Sequence, residues 1–209
     1  MYTLWIANKN YSSWSLRPWI LLKALNIPFN ERVSYFEDGK NSHEKFKAFS
    51  PTGLVPCLMD GDITVWDSLA IVEYLAEDHA QVWPSDKMAR AWARSAVAEM
   101  HSGFAALRQS CSMNCAIRTE LNKILPELQR DIDRIDALWS EGLTKFGGEW
   151  LAGDKFTVVD AFYAPVVFRA RAYGLKFSAT SQKWIDRMLK HPAMVEWVEA
   201  AIKEPKIAH

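Results

Sequence analysis

Three serines within four residues, Ser12, Ser13 and Ser15, precede Arg17 and Pro18 where a short apolar run gives way to a helical pattern. Ser is a preferred residue for capping a helix N-terminus, and Ser15 needs no other role. Three hydroxyls exceed what one cap requires. The start of a helix also offers free N–H groups and positive partial charge, which suit an anion. A second group is the run Ser50-Pro51-Thr52-Gly53-Leu54-Val55-Pro56-Cys57-Leu58. Pro56 opens a strand there, one of the few strand positions proline tolerates. If the Val55–Pro56 bond is cis, the turned backbone of Val55 presents its N–H and C=O to a ligand. A third group, Trp66-Asp67-Ser68, places a carboxylate and a hydroxyl where a strand becomes a helix. The pair either caps that helix or, with its free N–H groups, receives the charged end of an amino acid.

The elements that carry these groups alternate. Tyr2 to Ile6 reads as a buried strand, and Leu16 to Leu25 as a helix with Leu16, Ile20, Leu21 and Ala24 on one stripe. Asn26-Ile27-Pro28 ends it. Glu31 to Phe36 reads as a second strand, and Pro56 to Met59 and Ile63 to Trp66 as two more around Asp60-Gly61-Asp62, a hairpin signal. Ser68 to Asp78 reads as a helix with Leu69, Ile71, Val72 and Leu75 inward. This is a mixed α/β unit over residues 1–80. After a short polar linker, roughly His79 to Lys87, residues 88–209 read as an all-helical domain. Its expected helices run from Met88 to about Cys115, Thr119 to Leu143, Thr157 to Tyr173, Gln182 to Lys190 and Pro192 to Lys203.

Composition narrows the function classes. Among 209 residues, Lys plus Arg is 25 and Asp plus Glu is 25, so the positive field that nucleic acid or an anionic membrane selects is absent overall. No apolar run approaches the roughly 20 residues of a membrane helix, and the start lacks the pattern of a signal peptide. The three cysteines, Cys57, Cys111 and Cys115, form no C-x-x-C pair, so no metal site is expected. Cys111 and Cys115, four apart in the expected long helix, share a face as small buried residues. A reducing, cytoplasmic setting is the simplest account.

The three groups, in this order and at this spacing, resemble the cytosolic glutathione transferases over nearly the whole chain. The serine-rich turn with Arg17 is similar to the zeta and tau signatures S-S-C-S-W-R and S-P-F-x-x-R, with Trp14 where the zeta motif has Cys. The run P-T-G-L-V-P resembles N-P-x-G-K-V-P, with Leu54 in place of the usual Lys or Gln. Asp67-Ser68 resembles the Glu/Gln-Ser pair, one methylene shorter. Gly153 to Asp160 resembles the family's S/T-x-x-D capping box, in which Thr157 caps a helix and Asp160 reaches back.

The resemblance implies a thioredoxin-like domain followed by a helical one, with glutathione as cosubstrate and a two-fold homodimer. It makes Ser12, five residues before Arg17, the hydroxyl that stabilises the glutathione thiolate. The shorter delta pattern, S-x-P-C-R, would select Ser13 instead. The implied glutathione ligands are Ser12, Lys40, Leu54, Val55, Pro56, Asp67 and Ser68. A pocket for a small hydrophobic electrophile is expected between the domains, with Trp14, Phe104, Leu107, Arg108 and Cys111 as its lining. The alternatives are a zeta-like cis–trans isomerase that recycles glutathione and a non-catalytic carrier. A thiol reductase would need Cys where Ser12 stands.

Overall fold

The computed structural model describes residues 1–36 and 42–207; Lys40 lies outside them. The first half runs β1 (Tyr2–Ile6), α1 (Ser13–Ala24), β2 (Phe29–Val33), α2 (His43–Phe46), β3 (Cys57–Asp60), β4 (Ile63–Trp66) and α3 (Ser68–Asp78), in the expected order. The four strands lie in the order β2-β1-β3-β4. β1 and β2 are parallel, with Tyr2 opposite Phe29, so a crossover must join them, and α1 supplies it. β3 pairs antiparallel with both β1 and β4. The β3–β4 hairpin closes around Gly61, whose φ of 57° suits a tight hairpin turn.

β2 ends at Val33, short of the expected Phe36. The reason is its partner. β1 stops at Ile6, so Ser34 N–H makes one more bond to the Ile6 carbonyl at 2.9 Å. Phe36 N–H then turns to the Asn8 side chain at 2.7 Å.

The second half holds α4 (Lys87–Ser102), α5 (Ala105–Ser110), α6 (Pro126–Phe146), α7 (Val158–Tyr173), α8 (Ala179–Lys190) and α9 (Pro192–Ala201), after a 3-10 turn at Ala80–Val82. α1 and α7 pack against each other and are apolar on nearly every face. Such helices belong inside a fold, and these two join the halves into one core. Leu16, Trp19, Ile20, Leu21 and Leu22 of α1 are fully buried, as are Val159, Phe162 and Val166 of α7. Each aliphatic side chain so buried contributes about 1.5–3 kcal/mol.

The expected helix from Met88 to Cys115 is broken. α4 ends at Ser102, and Phe104 adopts a left-handed conformation, φ 59° and ψ 44°. Arg108 folds back to hold the freed carbonyls, with Nε donating to Gly103 O at 2.9 Å and Nη2 to Met100 O. A cation at a helix C-terminus is also favoured by the helix dipole. Beyond Cys111 the chain runs irregularly to α6, which starts at Pro126 rather than Thr119. Arginines of α7 claim the carbonyls of this stretch: Arg169 Nη1 donates to Cys111 O, and Arg171 Nη2 to Cys115 O at 3.3 Å. Cys111 and Cys115 are therefore buried in a loop and do not share a helix face. At α7 the reciprocal arm of the capping box is present, with Thr157 N–H donating to Asp160 Oδ2 at 3.0 Å.

Candidate functional site

The two serines at the head of α1 turn different ways. Ser12 is the N-cap: its Oγ accepts from Ser15 N–H at 3.4 Å and donates to Ser15 Oγ at 2.7 Å. Ser15 Oγ in turn accepts from Ala7 N–H at 3.2 Å. This chain of bonds runs into the protein and uses the Ser12 hydroxyl proton. Ser13 is the first residue of α1, its hydroxyl makes no hydrogen bond among the described residues, and it lines a cavity.

That cavity has a volume of about 610 Å³ and lies between the two halves of the chain. Tyr11, Ser13, Trp14 and Phe36 form the wall from the sheet domain. Arg108, Ser112, Met113, Asn114, Arg169 and Tyr173 form the wall from the helical domain. Among the described residues, no Asp or Glu stands on it. Of the expected pocket residues, Trp14 and Arg108 line the cavity. Phe104, Leu107 and Cys111 instead pack in the core, at 7%, 0% and 0% exposure. A larger cavity, about 700 Å³, lies at the interdomain linker around Trp83 and Phe156 and holds none of the candidate site residues.

Three guanidiniums gather at this interface. The Trp14 ring has the Arg17 guanidinium carbon 4.1 Å and the Arg108 carbon 4.9 Å from its centroid. Arg169 stands close enough for Arg17 and Arg169 each to feel a neighbouring positive charge. None of the three forms an ion pair with a carboxylate among the described residues. Burial, reinforced by Arg108, draws Arg169 down to about 10. Burial also lowers Arg17, with Arg108 and Arg169 adding to the effect. After their bonds to backbone carbonyls, Arg108 Nη1 and, on Arg169, Nε and Nη2 have no hydrogen-bond partner among the described residues, and both residues line the cavity.

Leu54, Val55, Pro56, Asp67 and Ser68 do not line the cavity. The Val55–Pro56 bond is cis. Leu54 is 61% exposed, and Pro56 is buried. Asp67 caps α3, its Oδ1 accepting from Leu69 N–H at 2.7 Å and Ala70 N–H at 3.4 Å. Its other oxygen lies 3.3 Å from His101 Nε2, while 45% of the side chain stays exposed. Ser68 is fully buried, and its Oγ accepts from Arg17 Nη1 at 3.2 Å. That bond ties α1 to α3. His101, from α4, meets the edge of Trp14 at 5.3 Å, and burial lowers its pKa.

The cysteines are structural in their surroundings. Burial raises the Cys111 thiol to about 11 and the Cys115 thiol to about 12, and it also raises Cys57. Sequence reasoning missed Tyr11, Phe36, Ser112, Met113, Asn114, Arg169 and Tyr173 as cavity walls. A signal existed for Arg169: it is a charged residue in the apolar run from Val158 to Tyr173, where buried charge signals a special role.

Comparison with known proteins gives a consistent outcome. The model of the glutathione S-transferase N-terminal domain matches residues 11–78, and that of the C-terminal domain matches residues 118–200. Glutathione S-transferase GstB of Escherichia coli K12 is 29% identical, covering 93% of this chain and 96% of that one. A probable maleylacetoacetate isomerase of Caenorhabditis elegans is 28% identical, covering 85% and 81%. Among solved structures, the theta class glutathione S-transferase of Xanthomonas axonopodis pv. citri, with glutathione bound, superposes with a TM-score of 0.69. It is 21% identical and covers 94% of this chain and 96% of its own.

Proposed function

Since the chain belongs to the glutathione S-transferase family, we propose that it joins the thiolate of glutathione to a small electrophile held in the cavity between its two domains. The observation that carries this reading is the Ser13 hydroxyl, unbonded among the described residues, at the positive end of α1 on a cavity whose described charged residues are arginines. A free thiol has a pKa near 8.5, so only about 3% is ionised at pH 7. A serine hydroxyl is far too weak an acid to serve as base. It donates a hydrogen bond to the sulfur, and the helix end favours the anion. The thiolate then attacks: a C–S bond forms and the leaving group departs with its electron pair. In this reading the Val55 backbone pairs with the cysteinyl residue, Asp67 receives the γ-glutamyl ammonium, and the working assembly is a two-fold homodimer.

Glutathione binding is measured by calorimetry. Asp67→Ala is expected to weaken it about tenfold, since the ammonium loses a charge-assisted hydrogen bond. An absence of binding by the wild type sinks the whole reading. An unchanged dissociation constant in the variant removes Asp67 from it.

The cavity wall adds a substrate class. Among the described residues, Arg108 and Arg169 have nitrogens without a partner and no facing carboxylate, so the electrophile carries an acidic group rather than being wholly apolar. A matched pair tests this: 4-(bromomethyl)benzoic acid and its methyl ester share the reacting carbon and leaving group. The acid is expected to be favoured about tenfold in kcat/KM, the scale of a charged hydrogen bond. Arg108→Gln should collapse that preference, which as a ratio is insensitive to loss of folded protein. Equal rates for acid and ester overturn the acidic-substrate reading and leave the transferase reading standing. A cis–trans isomerase is the second reading, favoured by the C. elegans relative. It is separated by whether glutathione is consumed.

A further inference from the structure

The turn that carries Tyr11, Ser12 and Ser13 is held by the far end of the chain. Within the turn, Tyr11 N–H and Ser12 N–H both bond to the Asn8 carbonyl, at 3.1 and 2.8 Å. Lys9 N–H and Asn10 N–H face away from those bonds and need acceptors from elsewhere. Glu204 supplies both: Oε1 accepts from Lys9 N–H at 2.9 Å and Oε2 from Asn10 N–H at 3.0 Å. One carboxylate thus spans two successive peptide N–H groups, some 195 and 194 positions away in sequence. Three residues on, Ile207 N–H donates to the Tyr11 hydroxyl at 3.2 Å, and Tyr11 is itself a wall of the cavity. α9 adds Trp197, whose Nε1 donates to the Lys9 carbonyl at 2.8 Å.

We propose that Glu204 is a positioning residue for the glutathione site: the segment after α9 clamps the Lys9–Asn10 turn and so fixes where Ser13 presents its hydroxyl. Glu204 touches neither sulfur nor electrophile. Its effect passes through three residues of backbone to the head of α1, where a displacement of an ångström lengthens the hydrogen bond to the thiolate. The inference rests on the transferase reading for its chemical consequence, but the clamp itself is a property of the fold. A carboxylate is suited to the task because its two oxygens accept from both N–H groups at once, with charge-assisted strength.

The test compares Glu204→Ala and Glu204→Gln in the full chain, by amide hydrogen exchange at Lys9 and Asn10, by titration of the bound glutathione thiol, and by kcat and KM. In Glu204→Ala, exchange at the two amides should rise at least tenfold. The thiol pKa should rise by about half a unit, and kcat should fall about threefold or more, further than KM changes. Glu204→Gln, which keeps one uncharged acceptor oxygen, should lie between Ala and wild type in all three. Faster exchange with an unmoved thiol pKa and kcat would reduce Glu204 to a purely structural brace and overturn the proposal. So would unchanged exchange. If the wild type binds no glutathione, the transferase reading falls, and the exchange arm still decides whether Glu204 orders the turn.

Discussion

Replacing Ser13 with Ala is expected to raise the pKa of enzyme-bound glutathione by one to two units, on the order of 1.4–2.7 kcal/mol. Ser12→Ala should leave that titration near the wild-type curve and instead cost about 1 kcal/mol of stability, the usual loss for a helix cap. The assignment follows from where the two hydroxyl protons go. Ser12 already donates to Ser15 Oγ, and that oxygen is held by Ala7 N–H. Turning the Ser12 hydroxyl toward a ligand would break this bond and weaken the cap on α1. Ser13, at the next position, carries an uncommitted hydroxyl at the cavity. The measurement is the ultraviolet absorbance of the thiolate in each variant's glutathione complex, titrated against pH. If Ser12→Ala alone moves the curve, the register is that of the zeta and tau motifs after all. If neither moves it, the positive end of α1 or a neighbouring cation stabilises the sulfur without a serine.

The spacing to Arg17 could not settle that choice, because the two serines differ by one position and their direction depends on which of them caps the helix. The sheet domain was otherwise legible. Its strands are short apolar runs between strong punctuation, and Asn26-Ile27-Pro28 and Asp60-Gly61-Asp62 mark turns whatever surrounds them. The break after Ser102 was signalled only by Gly103, a helix-stop residue, and the apolar period that continues through it masks that signal. Val97, Met100, Phe104, Leu107 and Cys111 all read as one helical face, and all are buried. The carbonyls freed by the break are held in two ways. Arg108 holds Gly103 O and Met100 O locally, and Arg169 and Arg171 of α7 hold Cys111 O and Cys115 O from across the domain. The same event built the site. By leaving the helix, the chain carries Ser112, Met113 and Asn114 into the cavity wall and stations Arg108 opposite Trp14. Phe104, Leu107 and Cys111 were expected in the pocket as members of the long helix, and they pack in the core instead.

Removal of the Asp160 side chain is expected to have the largest effect on stability of any single change considered. Its carboxylate is fully buried at the head of α7. It accepts from Leu151 N–H at 3.0 Å, Thr157 N–H at 3.0 Å and Trp184 Nε1–H at 2.9 Å. These three donors come from the loop before α7, from its N-cap and from α8, so one residue ties together the centre of the helical domain. Asp160→Ala leaves all three donors buried and unpaired, which costs about 1–3 kcal/mol each before relaxation. A net loss of about 3–5 kcal/mol is expected at pH 7, read from urea unfolding at constant m-value. Asp160→Asn keeps the shape but turns an NH₂ group toward donors, and should lose about 2 kcal/mol. Burial lifts the Asp160 carboxyl from its ordinary 3.8 to about 6, against the three hydrogen bonds that favour its charge. The folded chain therefore holds this proton more tightly than the unfolded chain does. The stabilisation linked to it is fully present below about pH 4 and is lost as pH rises through about 6. Asparagine does not titrate, so the gap between wild type and Asp160→Asn should be wider at pH 4.5 than at pH 7. A gap that narrows on acidification would mean that the three donors outweigh burial and that the carboxylate, not the acid, is the form the fold prefers.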